Sequence, residues 1–141
     1  MKAVVLALAL AAAPFAGCSN TKKPDDHAAA KKTVPVVTVA ELDTMIGKQA
    51  CTPVDANGPT TRQKKGVIPG AIRLSDYETF SATELPADKA RPLVFYCANE
   101  QCGASHTAAE KALASGHTDV RVLSAGILGW TEAGKPVEPG A

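Results

Sequence analysis

Two cysteines five residues apart, Cys97 and Cys102, are the residues best placed for chemistry. A thiol attacks, binds metal or exchanges electrons as its thiolate, and an ordinary cysteine, with a pKa of about 8.5, is mostly protonated at neutral pH. Something near the sulfur must therefore stabilise the anion. Leu93-Val-Phe-Tyr96 is an apolar run short enough for a buried strand, and Ser105 to Ser115 is alanine-rich and reads as a helix. Cys97 thus ends a strand, and a short loop leads from it to a helix N-terminus. Unpaired amides and the helix dipole both favour negative charge there. The amides of Ala98, Asn99, Glu100, Gln101, Gly103, Ala104 and Ser105 are expected to turn inward as a cradle for an anion. Cys97 is the expected nucleophile, with an inert buried thiol as the bland alternative. Cys102 has two readings of equal weight, a resolving thiol for Cys97 and a structural disulfide partner. Cys97, Cys102 and His106 are of metal-ligating type, but their spacing matches no standard zinc pattern, so neither a metal nor a cofactor is expected. Cys51 reads as a core thiol, and His106 as an exposed helix residue that has a weaker claim to orient an acceptor.

The elements that must position this loop alternate between strand and helix. Val34 to Val39 is β-rich and suits an edge strand, which tolerates Pro35. Thr38 with Glu41 fits a capping box for a helix to about Ile46, with Gly47 as its stop. Ala50 to Asp55 reads as a strand, Pro59 to Lys65 as a short polar helix, and Ala71 to Leu74 as a strand after the Gly66–Gly70 turn. Ser75 to Ala90 is loop-like, with a helical turn expected near Tyr77. Val120 to Leu123 is a further strand, and Ile127 to Ala133 a last helix bearing Trp130, a core residue. His117 reads as a turn residue. Such alternation implies a parallel sheet covered on both faces, with ligands beyond the carboxyl ends of the strands. Cys97 stands at such an end.

With 141 residues, 45% of them hydrophobic and 21% charged, the chain is sized for one globular domain. A formal net charge of +1 and few aromatic residues exclude a basic or base-stacking surface, so no nucleic-acid partner is expected. Lys2 followed by the apolar run Ala3 to Ala13 reads as a secretory signal, too short to span a membrane well. Phe15-Ala-Gly-Cys18 resembles the lipobox of bacterial lipoproteins, which implies cleavage before Cys18 and its acylation. Two or three acyl chains would anchor the protein firmly. Residues 19–33 carry Lys22, Lys23, Lys31 and Lys32 with no apolar periodicity and read as a flexible tether. The expected division is a signal peptide at 1–17, a lipidated Cys18 and tether at 18–33, and a folded domain at 34–141. This implies attachment to the cell envelope, at the periplasmic face of the outer membrane in a Gram-negative source.

Five segments then match a known family in order. Val54-Asp-Ala-Asn57, Gly66-Val-Ile-Pro-Gly-Ala71, Val94-Phe-Tyr-Cys97, the helix residues Ala108, Ala109, Leu113 and Gly116, and Leu123-Ser-Ala-Gly126 with Gly129-Trp130 together resemble the rhodanese-like domain. The resemblance implies an α/β fold with a central parallel sheet of about five strands and helices on both faces. It also implies sulfur transfer: Cys97 would take sulfur from a small sulfane-sulfur donor, hold it as a persulfide and pass it to a thiol acceptor. Two departures stand out. The loop is two residues longer than is usual, and Ala104 falls where sulfurtransferases of the family carry Arg, with Ser105 in the Ser position. No Lys or Arg lies between Cys97 and Ser105, and Glu100 adds a negative charge, so a cation for the donor would have to come from Arg62, Lys64, Lys65 or Arg73. Asp55 and Arg73 are read either as part of the cradle or as a surface pair.

Overall fold

The computed structural model describes residues 33–140. The signal, Cys18 and almost all of the tether lie outside the described residues.

Five strands form one sheet: β1 (Val36–Val37), β2 (Thr52–Asp55), β3 (Ile72–Arg73), β4 (Leu93–Tyr96) and β5 (Val120–Leu123). Every pairing is parallel, and the spatial order is β1-β5-β4-β2-β3. The α/β fold expected from the sequence is thus observed. β4 sits in the middle, buried along its whole length, which is why its sequence is an unbroken apolar run. β1 is an edge strand, as Pro35 beside it requires.

The helices are α1 (Val39–Gly47), α2 (Pro59–Lys65), α3 (Ala104–Ala114) and α4 (Gly126–Glu132). In α1 the Thr38 side chain accepts from the Glu41 amide and Glu41 accepts from the Thr38 amide at 2.7 Å, so the capping box closes. Gly47 remains helical, and the left-handed residue that follows is Gln49, with φ 54°. The helical turn expected near Tyr77 lies instead at Ala82–Glu84, a single 3-10 turn. Two side chains account for the difference. Ser81 and Glu84 form a second capping box, whereas Asp76 accepts from the amides of Glu78 and Thr79 and holds that segment as a tight turn.

Two apolar clusters flank the sheet. Leu93, Phe95 and Cys97 point to one side with Val54 and Val122, where Ala108, Ala109 and Ala112 of α3 pack on them. Val94 and Tyr96 point to the other side with Leu42 of α1 and Ile127 and Trp130 of α4. Strand side chains alternate with a period of two, so Cys97 must follow Phe95 onto the α3 face. Trp130 is core, as expected, and its indole N–H donates to Pro136 O at 2.8 Å. His117 is not a simple turn residue: it is 2% exposed, and its Nε2 lies 3.1 Å from Lys89 Nζ. The chain reverses at Gly116 (φ 95°) and carries the imidazole back against the Lys89 segment.

Candidate active site

Cys97 follows directly on the last residue of the central strand and is 1% exposed. Its first two peptides are fixed by α4. Cys97 O accepts from the Ile127 amide at 2.8 Å and Ala98 O from the Leu128 amide at 3.0 Å. Gly126, with φ 62°, permits this approach: a Cβ there would lie 2.6 Å from Cys97 O and from Ala98 C and O. A trans peptide points its N–H opposite to its C=O. With Cys97 O drawn towards α4, the Ala98 N–H is turned into the loop.

The loop then folds back. Cys102 N donates to Asn99 O at 3.1 Å, and the Asn99 side chain accepts from the Gln101 amide at 3.1 Å. These turns return the chain so that Cys102 packs against the cluster that holds Cys97. The two cysteines are thereby brought together at one end of the sheet. Cys97 Sγ also lies 2.9 Å from Cys102 O, 3.7 Å from Asn99 O and 3.3 Å from Ser105 Oγ.

Ser105 Oγ of the first turn of α3 stands at the Cys97 sulfur, and the Ala98 amide is turned into the loop. The Ser105 amide and hydroxyl act to lower the pKa of Cys97, and the amides of Ala98 and Ala104 that of Cys102. Burial pushes the Cys97 thiol up, the bond with Cys102 adds to this, and the Ser105 donors oppose it. Burial acts upward on Cys102 as well, but Cys97 and the two amides outweigh it and bring Cys102 below the ordinary thiol range. The two titrate as a pair, and the first proton lost leaves its charge chiefly on Cys102. The carbonyl oxygens of Cys102 and Asn99 can only accept, so they favour S–H at Cys97. Cys51, Cys97 and Cys102 are all free thiols. Cys51 is buried in the cluster on the opposite face of the sheet, as a core thiol should be, and burial raises its pKa.

The candidate cations are elsewhere. Arg62 is 8% exposed and donates to Asp55 O at 3.1 Å and Leu74 O at 2.8 Å, tying the ends of β2 and β3 together. Its Nε lies 3.3 Å from the Asp55 carboxylate, an ion pair without a well-aligned hydrogen bond. Asp55 accepts from the Asn57 amide at 2.7 Å; burial still moves its pKa upward against the pull of Asn57 and Arg62. Asp55 is therefore neither cradle nor surface partner of Arg73, which donates to Pro139 O at 3.0 Å. Lys64 and Lys65 are exposed and line a separate groove with Gly66, Val137 and Pro139. Beside the loop itself is a shallow depression of about 320 Å³ bordered by Asn99, Glu100, Gln101, Leu128 and Glu132. Its ionic groups are both carboxylates. His106 is exposed, and among the described residues no group of three or more His, Cys, Asp or Glu is arranged to hold a metal.

Sequence reasoning missed the clamp from α4. Its one visible signal was Ser124-Ala-Gly126 immediately before a helix, read only as a turn.

The rhodanese-like domain family model matches residues 38–133. The chain belongs to the rhodanese-like family. No curated protein matches the sequence. Among solved structures, this chain is similar to a rhodanese-like domain from Anabaena at 23% identity, with 75% of this chain and 80% of that chain covered and a TM-score of 0.62. It is also similar to the 3-mercaptopyruvate sulfotransferase of Escherichia coli, at 20% identity, 77% and 52% coverage and a TM-score of 0.62. The human single-domain sulfurtransferase matches at 23% identity, 71% and 97% coverage and a TM-score of 0.57. A possible tyrosine phosphatase of unknown function from Rhodopseudomonas palustris matches at 24% identity, 74% and 85% coverage and a TM-score of 0.60. These likenesses concern the fold; the chemistry must be argued from the loop.

Proposed function

We propose that this domain transfers sulfur through a persulfide on Cys97, from a sulfane-sulfur donor to a thiol acceptor. The observation that carries the reading is the position of Cys97: a thiol at the carboxyl end of the central strand, with the Ser105 hydroxyl of the α3 first turn 3.3 Å from its sulfur. Family membership and the sulfurtransferases that share the fold support it.

The reaction begins from the dithiol with one proton lost. Passage of the Cys97 proton to the neighbouring Cys102 thiolate leaves the Cys97 thiolate beside Ser105 Oγ, 3.3 Å away. The thiolate attacks the outer sulfur of the donor, forms the S–S bond of the persulfide and expels the remainder of the donor as its anion. Donors that carry one charge or none suit this loop better than the thiosulfate dianion, because Glu100 and Glu132 border the adjoining depression. A phosphatase reading is weaker, since the loop carries no Arg to hold an oxyanion.

Steady-state assays with thiosulfate and with inorganic polysulfide, using a dithiol as acceptor, test the proposal. Turnover with at least one donor, abolished in Cys97→Ser, is the expected result. No turnover with either donor would refute it.

We further propose that residues 1–17 direct export and that Cys18 is acylated and anchors the domain through residues 19–33. Expressed in a bacterial host, the wild-type chain is expected in the membrane fraction and Cys18→Ser in the soluble fraction. Equal partition of the two would contradict the anchor.

A further inference from the structure

The loop holds Cys102 against the nucleophile. Three features of its placement bear on what it does. The reversal through Asn99 and Gln101 returns Cys102 to the face of the sheet occupied by Cys97, with Cys102 O 2.9 Å from Cys97 Sγ and the Cys102 side chain packed on the cluster that holds Cys97. The Ala98 amide is turned into the loop beside it by the α4 clamp on Cys97 O. Finally, Cys97 is 1% exposed whereas Cys102 is half-buried, so the inner sulfur of a persulfide on Cys97 is closed to a bulky external thiol and open to Cys102.

We propose that Cys102 is the resolving thiol of this loop, which attacks the Cys97 persulfide, closes a Cys97–Cys102 disulfide and releases the transferred sulfur as hydrosulfide. The inference rests on the reading of Cys97 as the persulfide carrier. In the step, the Cys102 proton passes to the outer sulfur of the persulfide. The Cys102 thiolate forms a bond to Cys97 Sγ, and the bond between Cys97 Sγ and the outer sulfur breaks. The outer, zero-valent sulfur is reduced to hydrosulfide by the two electrons that the two cysteine thiols lose on becoming a disulfide. No external oxidant enters. An external dithiol then reduces the disulfide by exchange and resets the loop. Holding both sulfurs in one loop makes the attack unimolecular, which favours it over capture of the inner sulfur by a dissolved thiol. The domain would thus act as a sulfane-sulfur reductase coupled to a dithiol, rather than only as a carrier of intact sulfane sulfur.

The test uses the reduced full domain under anaerobic conditions, with no acceptor thiol added. Thiosulfate and glutathione persulfide serve as donors because neither releases hydrosulfide on loading. Intact mass and trapped hydrosulfide are measured for wild type, Cys102→Ser, Cys102→Ala and Cys97→Ser. The wild-type chain is expected to lose about 2 Da as the disulfide forms and to release about one hydrosulfide per chain. The Cys102 variants are expected to gain about 32 Da, one sulfur, and to hold it. If wild type retains the added sulfur as the Cys102 variants do, the inference falls and the carrier reading stands. If no form takes up sulfur from either donor, or if Cys97→Ser alone loads, the carrier reading falls and the inference with it.

Discussion

The ends of β2 and β4 lie side by side, with Asp55 in register with Tyr96, yet they are built on opposite principles. At the end of β2 a formal ion pair is closed in: Arg62 binds the carbonyl oxygens of Asp55 and Leu74, and the Asp55 carboxylate is fully buried beside it. At the end of β4 there is no side-chain ion pair, only two thiols, a hydroxyl and backbone amides. A buried ion pair resists change, because removing either partner strands the other charge. Two adjacent thiols can share a proton, take up sulfur or form a bond at far smaller electrostatic cost. The difference teaches where the molecule fixes its frame and where it keeps freedom to react. The arginine nearest in sequence logic to a missing loop cation serves the frame.

The sharpest way to break that comparison is Arg62→Met. It leaves Asp55 buried without its counter-charge, and chemical denaturation should show a loss of about 3–5 kcal/mol. Sulfur loading per folded molecule should be unchanged. Preserved stability with a raised KM for an anionic donor would mean that Arg62 serves the loop after all.

Gly126→Ala strikes the clamp instead. Its Cβ would overlap Cys97 O and Ala98 O in a left-handed backbone, so a destabilisation of about 1–3 kcal/mol is expected. Here loading should fall as well, because the Ala98 amide loses its orientation. A variant that is destabilised but loads normally would separate the clamp from the chemistry.

The smallest perturbation is pH. Cys102 lies below the ordinary thiol range, while burial raises Cys51 and Cys97. As pH rises, Cys102 should therefore become reactive to iodoacetamide first, and its rate should fall as pH drops through its own pKa. Mapping the alkylated peptides checks the order. Earlier labelling of Cys97 would reverse the assignment of charge within the pair.

Much of this architecture was legible in the sequence. The run Leu93 to Tyr96 marked the central strand, and its alternation carried Cys97 onto the α3 face; the Thr38–Glu41 box and the limits of α2 also stand as read. The helical turn near Tyr77 was misplaced because Asp76 and Ser81 both resemble caps and only one begins a helix. The orientation of the first peptides of the loop could not be read. It depends on the amides of Ile127 and Leu128, about thirty residues on, turning the peptides of Cys97 and Ala98. The partner of Asp55 was likewise hidden, since Arg62 and Arg73 are equivalent in type and only the path of α2 decides which is buried.

The most direct test of the account is the site of sulfur attachment in the Cys102→Ser variant, where a persulfide cannot be resolved. The reduced protein is treated with a sulfane-sulfur donor, blocked and digested, and the peptides are read by mass. The account predicts an addition of about 32 Da, confined to the peptide that contains Cys97. Sulfur on the Cys51 peptide, or on no peptide with either thiosulfate or polysulfide, would contradict it.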